Sequence, residues 1–183
     1  MIIGITGTDG AGKGTVVEYL VEKKGYTHYS SREFIVAEIE RQGLEISRNQ
    51  MRLTANEMRA KHGNEFVIKQ AFEKAKNEQK EKVIIESVRA LAEAEFLKEH
   101  GGILLAVDAP VEVRYGRVQE RRSESDKVSF ELFVEQEELE KNDPDPNGMQ
   151  KAKVIEMSDY IIMNNGTFEE LEVEIEKFIA TIE

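Results

Sequence analysis

The stretch Gly7-Thr8-Asp9-Gly10-Ala11-Gly12-Lys13-Gly14-Thr15 sets glycines and one lysine on the spacing Gly-x4-Gly-Lys. Glycines so placed let successive backbone N–H groups turn inward around phosphate oxygens, and the lysine reaches the outer phosphates. Gly10, Ala11, Gly12, Lys13, Gly14 and Thr15 are therefore candidate residues for holding a triphosphate. Gly14 fills the place where this motif carries a magnesium-ligating hydroxyl, and Thr15 supplies one a residue later. The competing reading is a glycine-rich turn without a ligand. At ordinary glycine frequency the spacing arises by chance in on the order of one in a few hundred chains of this length.

Further charged residues stand at the ends of apolar runs. Glu86 follows Val83-Ile84-Ile85, and Arg89 comes three residues later. Such a run fits a buried parallel strand whose C-terminal end opens into a ligand crevice, so the carboxylate would face the ligand; a structural ion pair is the alternative. Asp108 ends Ile103 to Val107 and either helps hold magnesium or its water, or caps the helix beyond Pro110. Arg117 and Arg121 lie one helical turn apart, with Arg122 beside them, so their guanidinium groups can reach one ligand from one face. Arg48, Arg52 and Arg59 are either phosphate or base contacts, or exposed and ion-paired.

These residues need strands and helices in alternation. Met1 to Thr6 has the length and β-branched content of a buried strand, and Val16, Val17, Leu20 and Val21 recur at helical spacing until Gly25. Strand, loop and helix in that order aim the helix N-terminus and its positive dipole end at an anion. Residues 26–31 read as a second strand, with Ser31 a candidate N-cap for the helix that follows. Residues 33–80 read as several short helices broken at Gly43 and Gly63. Residues 82–86 and 103–107 read as strands, 90–100 and 111–122 as helices. Beyond a polar connector at 123–127, a helix runs to about Lys141 and a turn-rich loop covers 142–148. Residues 159–163 form a last strand, and Thr167-x-x-Glu170 is a capping box that opens the final helix.

The motifs resemble those of P-loop nucleotide kinases along nearly the whole chain. The loop resembles the adenylate-kinase branch of nucleoside monophosphate kinases, and Asp9 within it is similar to thymidylate kinases. The resemblance implies an α/β P-loop NTPase fold: a five-stranded parallel sheet with helices on both faces, a helical acceptor-binding insertion at about 31–80 and a short helical lid at about 121–142, all in one domain over 1–183. Adenylate kinases carry Asp-Gly-Phe-Pro-Arg where Glu86 and Arg89 keep the acid and the arginine. By that likeness Glu86 organises the magnesium shell through water or orients the acceptor, and Arg89 grips the acceptor's phosphate. Ser31 and Arg32 match a turn that meets the acceptor nucleotide, with a helix cap and a solvated charge as the plain alternatives. Arg117 would lie against the donor adenine, while Arg121 and Arg122 would clamp the migrating group. Val107-Asp108-Ala109-Pro110 and the closing SDYIIMNNGTFEEL are similar to dephospho-coenzyme A kinases, where Asn165 and Gly166 would frame the adenine; a tight turn wants the same residues. The activity implied is transfer from ATP with Mg2+ to a nucleoside monophosphate such as AMP. Dephospho-coenzyme A kinase is the second reading, and a nucleotide-dependent switch or regulatory ATPase the third. Thr15, Glu86 and Asp108 are the metal candidates, directly or through water.

Composition bounds the partners. A formal net charge of −11 argues against binding nucleic acid through its backbone, and ordinary solubility accounts for the acidity. No apolar run approaches the ~20 residues that span a bilayer, and no basic, apolar leader precedes the loop, so a cytoplasmic location is expected. The chain contains no cysteine, which removes disulfides and thiolate metal sites. His28, His62 and His100 are too scattered to suggest a metal cluster.

Overall fold

The computed structural model describes residues 1–121, the last by its backbone alone, and residues 128–183. In chain order the elements begin with β1 (Ile2–Gly7), α1 (Lys13–Lys24), β2 (Thr27–Ser30), α2 (Ser31–Arg41), α3 (Arg48–His62), α4 (Phe66–Asn77) and β3 (Val83–Glu86). They continue with α5 (Leu91–Glu99), β4 (Ile103–Asp108), α6 (Val111–Arg121), α7 (Phe130–Lys141), α8 (Lys151–Glu156), β5 (Tyr160–Met163) and α9 (Phe168–Ile182).

The five strands form one parallel sheet in the order β2-β3-β1-β4-β5. Parallel strands need crossover helices, and those helices cover both faces, which is why the inner strands read as unbroken apolar runs. Alternate side chains of each strand serve opposite faces. Ile3, Ile5, Leu105 and Val107 pack with Val16, Val17 and Leu20 of α1 and with Leu171, Ile175, Phe178 and Ile179 of α9. On the other face Val83, Ile85 and Leu104 meet Ile68, Ala71 and Phe72 of α4, Ala94 and Leu97 of α5, and Val154 of α8. Phe178 is fully buried, so its truncation to alanine removes about 3–5 kcal/mol.

The insertion after β2 has a small core of its own. Ile35 and Ile39 of α2 pack against Ala55 and Met58 of α3 and Val67 of α4. Breaks near Gly43 and Gly63 separate these three helices, as their sequence predicts. Two local expectations are corrected. Ser31 is not the N-cap: it lies inside α2, buried, and its hydroxyl donates to the Ser87 carbonyl at 3.2 Å, while Ser30 holds the cap position without a side-chain bond. Asp108 does not cap α6 in the ordinary way; its Oδ1 accepts from the Ala109 N–H at 2.8 Å, ahead of the helix. The six-residue α8 has no counterpart in the sequence reading. The capping box of α9 is present, with Thr167 and Glu170 each accepting the other's backbone N–H.

All five strands point the same way, so their C-terminal ends share one rim. Register sets what meets there. Ile5 of β1 and Ser30 of β2 both pair with Glu86, and Thr6 and Gly7 of β1 pair with Ala106 and Val107 of β4. The loop at residues 7–13, Glu86 and Asp108 therefore arrive at one edge, the place where open α/β sheets bind ligands.

Candidate functional site

The loop between β1 and α1 is braced from three distant segments. Gly12 stands at the N-cap of α1 with φ 97°, and a Cβ there would lie 2.4 Å from Asn164 Nδ2. A Cβ on Gly10, whose φ is 81°, would lie 2.5 Å from the Arg114 carbonyl oxygen. Neither position has room or conformation for a side chain. Asn164 Nδ2 donates to the buried Ala11 carbonyl at 2.8 Å, and Thr8 Oγ1 donates to Asp108 Oδ1 at 2.5 Å. Arg114 donates to the Asp9 carbonyl at 3.2 Å and to the Ala109 carbonyl at 2.7 Å, and its other edge pairs with Glu137 of α7. The N-cap Gly12 has no side chain, and among the described residues none caps the first turn of α1. Its leading N–H groups and positive dipole end are thus directed at the rim, which suits an anion.

Lys13 is held close over that loop. Its Nζ donates to the Thr8 carbonyl at 2.7 Å and the Gly7 carbonyl at 3.3 Å, and lies 3.7 Å from Asp9 Oδ1. Burial pulls its pKa from 10.5 to about 8; Lys151 and Arg89 push the same way and Asp9 opposes them. An ammonium in that condition gains from a nearby polyanion.

Beside the loop lies a cleft of about 530 Å³, lined by residues that include Lys13, Ser31, Arg32, Glu86, Arg89 and Met149. Six basic and three acidic side chains line it, a positive bias in an acidic protein. Glu86 Oε2 lies 3.1 Å from His28 Nε2. Burial raises the pKa of Glu86, but His28, Lys13 and Arg89 outweigh burial and hold it below the usual carboxylate value. Ser87 takes φ 73°, the conformation a glycine would favour, and so turns the chain sharply after β3. Arg89 Nη1 lies 3.6 Å from Met149 Sδ and 3.8 Å from Glu140 Oε2. Burial lowers the Arg89 pKa, while Asp9, Glu140, Glu93 and Glu86 raise it to a net increase.

Across the mouth runs a network of charges from four elements. Arg48 donates through Nη2 to Asp9 Oδ2 at 2.8 Å and through Nε to Glu140 Oε1 at 2.8 Å. Lys151 Nζ reaches the same two carboxylates, Glu140 Oε2 at 2.8 Å and Asp9 Oδ1 at 3.4 Å. Burial would raise the pKa of Asp9, yet Lys151, Lys13, Arg89 and Arg48 hold it well below the carboxylate range. Glu140 is lowered for the same reason, with Lys151 the strongest pull against burial. Arg52 and Arg59 resolve differently: Arg52 pairs with Asp143 at 2.8 Å, and buried Arg59 forks onto Glu93 at 2.8–2.9 Å. Glu93 in turn accepts the N–H groups of Arg89 and Ala90, so the Arg59 pair shapes the Arg89 turn.

Arg117, Asn165, Gly166 and Thr15 do not line that cleft. Arg117 Nη2 lies 3.5 Å from Asn164 Oδ1, and its buried Nη1 has no hydrogen-bond partner among the described residues. Asn165 and Gly166 are exposed at the end of β5, next to Asn164. Thr15 is half-buried in the first turn of α1. The side chain of Arg121 and the whole of Arg122 lie outside the described residues, as does the connector at 123–127. Among the described residues no cluster of three or more acidic or histidine side chains could cage a metal. The donor set that remains, one hydroxyl and single carboxylates, fits magnesium carried by phosphates and water.

Sequence reasoning missed Lys151, Glu140 and Asn164 and left Arg48 undecided. Lys151 sits on a helix too short for a periodic signal, and its partners are 11 and 142 residues away. Asn164 is one residue from the Asn165 singled out by likeness; its tertiary contacts with Ala11 and Arg117 distinguish them.

Comparison with known proteins gives three findings. The AAA domain family matches residues 3–143. A UPF0200 protein of Pyrobaculum aerophilum is 34% identical, over 99% of this chain and 98% of the relative, and one of Methanococcus maripaludis is 30% identical over 99% and 97%. Among solved structures, TT1252 from Thermus thermophilus aligns with a TM-score of 0.65 at 23% identity, over 100% of this chain and 98% of the other. A shikimate kinase from Acinetobacter baumannii in complex with shikimate aligns at 0.60 and 22%, over 100% and 94%.

Proposed function

This chain belongs to the AAA domain family and to the UPF0200 proteins, and we propose that it transfers a phosphoryl group from ATP, with Mg2+, to a nucleoside monophosphate. The observation that carries the reading is the layout of the rim: a glycine-rich loop whose Lys13 lines a cleft together with Arg89, Ser31 and Arg32. The loop amides, the helix dipole and Lys13 hold the donor's phosphates, with Gly10, Ala11, Gly12, Gly14 and Thr15 forming the cradle. Arg89, with Ser31 and Arg32, holds the acceptor's phosphate. Arg117, Asn165 and Gly166 border the adenine, and Arg121 and Arg122 reach the migrating group. Thr15, Glu86 and Asp108 are the side chains that would hold magnesium or its waters, and the ion would supply positive charge against the donor phosphates.

No protein nucleophile is required. A monophosphate acceptor is already ionised at neutral pH, so catalysis consists of alignment and of charge opposed to the equatorial oxygens in the transition state. The structural likeness to a shikimate kinase supports the fold and keeps a hydroxyl acceptor in the test.

The test is a coupled assay of ADP formation with a panel of monophosphates, dephospho-coenzyme A, shikimate and no acceptor. Turnover that depends on a monophosphate is expected, and Arg89→Ala should raise the acceptor's KM more than that of ATP. Turnover with dephospho-coenzyme A or shikimate alone would replace the acceptor. Hydrolysis indifferent to every acceptor would point to a nucleotide-dependent switch.

A further inference from the structure

A carboxylate inside an anion-binding loop is a cost unless it organises something. Asp9 lies between Gly7 and Gly12, where its charge opposes any triphosphate, yet it gathers three cations: Arg48 at 2.8 Å, Lys151 at 3.4 Å and Lys13 at 3.7 Å. Glu140, from α7, shares Arg48 and Lys151 and lies 3.8 Å from Arg89. Four cations thus converge on two carboxylates. Counting Glu86, which also faces Lys13 and Arg89 and is engaged by His28, and Glu93, which faces Arg89 but is neutralised by Arg59, leaves the cluster positive. An added anion on the cleft side completes the balance.

The four cations are not equally available to it. Lys13 belongs to the loop and Arg89 to the turn after β3, and each is close enough to act on the other's charge. The Lys151 side chain is 3% exposed, closed in behind the carboxylates, whereas that of Arg48 is 28% exposed and lines the cleft. Arg48 is also the first residue of α3, fixed by the Ser47 cap, so its backbone is anchored while its guanidinium spans loop and α7. Its contacts to Asp9 and Glu140 use Nε and Nη2.

We propose that Arg48 is a further phosphoryl-binding residue of this cleft, a guanidinium that Asp9 sets beside Lys13 and that engages an anion long enough to run from the glycine-rich loop toward Arg89. The inference rests on the phosphate-loop reading above. Asp9 keeps the fork in place, and a phosphoryl group completes the fork's bonding. Arginine suits the role because its planar donors match phosphate oxygens while the side chain stays bonded to Glu140.

The test is calorimetric titration of the full chain with pyrophosphate and with tripolyphosphate, both free of magnesium, for the unsubstituted protein, Arg48→Ala and Arg48→Lys. On this proposal the shorter pyrophosphate fills the loop and only the longer anion extends to Arg48, so both variants should keep pyrophosphate affinity within about twofold; the loss of a charge-assisted bond should cut tripolyphosphate affinity about tenfold in Arg48→Ala, and less in Arg48→Lys. If Arg48→Ala does not fold, the lysine variant, which retains the charge for Asp9 and Glu140, carries the same comparison. Equal losses for both anions would mean that Arg48 only pins α3 and α7 to the loop, and no loss would mean that it does not touch the ligand; either result overturns the proposal. Failure of the unsubstituted protein to bind pyrophosphate overturns the loop reading itself, and the role of Arg48 with it.

Discussion

The binding of ATP should take up a proton at alkaline pH, and Lys13 sets how much. Its pKa in the free protein is about 8, held there by burial with Lys151 and Arg89 beside it. A triphosphate tail against the ammonium returns the pKa toward its ordinary value of about 10.4. At pH 9 the free protein then has only about 0.1 proton on Lys13 and the complex nearly one, so binding should absorb about 0.9 proton; at pH 7 it should absorb about 0.1. Affinity should correspondingly be about tenfold weaker at pH 9 than at pH 7. Calorimetry in two buffers of different ionisation enthalpy reads both quantities, with Lys13→Ala as the flat control. Affinity that holds or rises from pH 7 to 9, or an alanine variant with the same profile, would refute the reasoning. The same displacement fixes a sign for stability: a lysine with a depressed folded pKa disfavours the fold while charged. The free protein should therefore gain stability as pH rises from about 8 to about 10.5, by roughly 3 kcal/mol from this group.

Other consequences follow from single positions. Gly12→Ala places a methyl 2.4 Å from Asn164 Nδ2 at φ 97°; it should lower stability by about 1–3 kcal/mol in urea unfolding and weaken ATP binding more than tenfold. Ser87→Gly relieves a non-glycine residue at φ 73° and should raise the melting temperature by an amount equivalent to up to about 1 kcal/mol, which Ser87→Ala should not do. Arg59→Met strands the Glu93 carboxylate in a buried site. It should destabilise the fold by about 3–5 kcal/mol, detected as a lower urea midpoint with an unchanged m-value.

What the sequence discloses is what is local. The strand before the loop, the glycine spacing and the first helix depend on neighbours within a few residues, and β1 and α1 lie where the pattern puts them. Glu86 and Arg89 could be placed at a strand end because Val83-Ile84-Ile85 is a buried run. The sharp turn between them could not, since nothing about Ser87 announces a positive φ; it follows from Ser87 N–H and Val88 N–H both reaching the Ile5 carbonyl. The charge network was invisible for a related reason. Arg48, Glu140 and Lys151 each look like surface charges in their own segments, and pairing over separations of 92 and 142 residues is a property of the packed chain. Ser31 shows the limit of capping rules: its hydroxyl has a tertiary partner, and the helix begins one residue sooner.

The central claim is that the loop amides and Lys13 grip a triphosphate while Arg89 and Ser31 wait for a second anion. The most direct measurement is the amide spectrum of 15N-labelled protein, recorded after saturating ATP with magnesium and again after a monophosphate is added. The first addition should shift the resonances of Gly10 to Thr15, and the second those of Ser31, Arg32 and Arg89. Loop amides unmoved by saturating ATP would contradict the account.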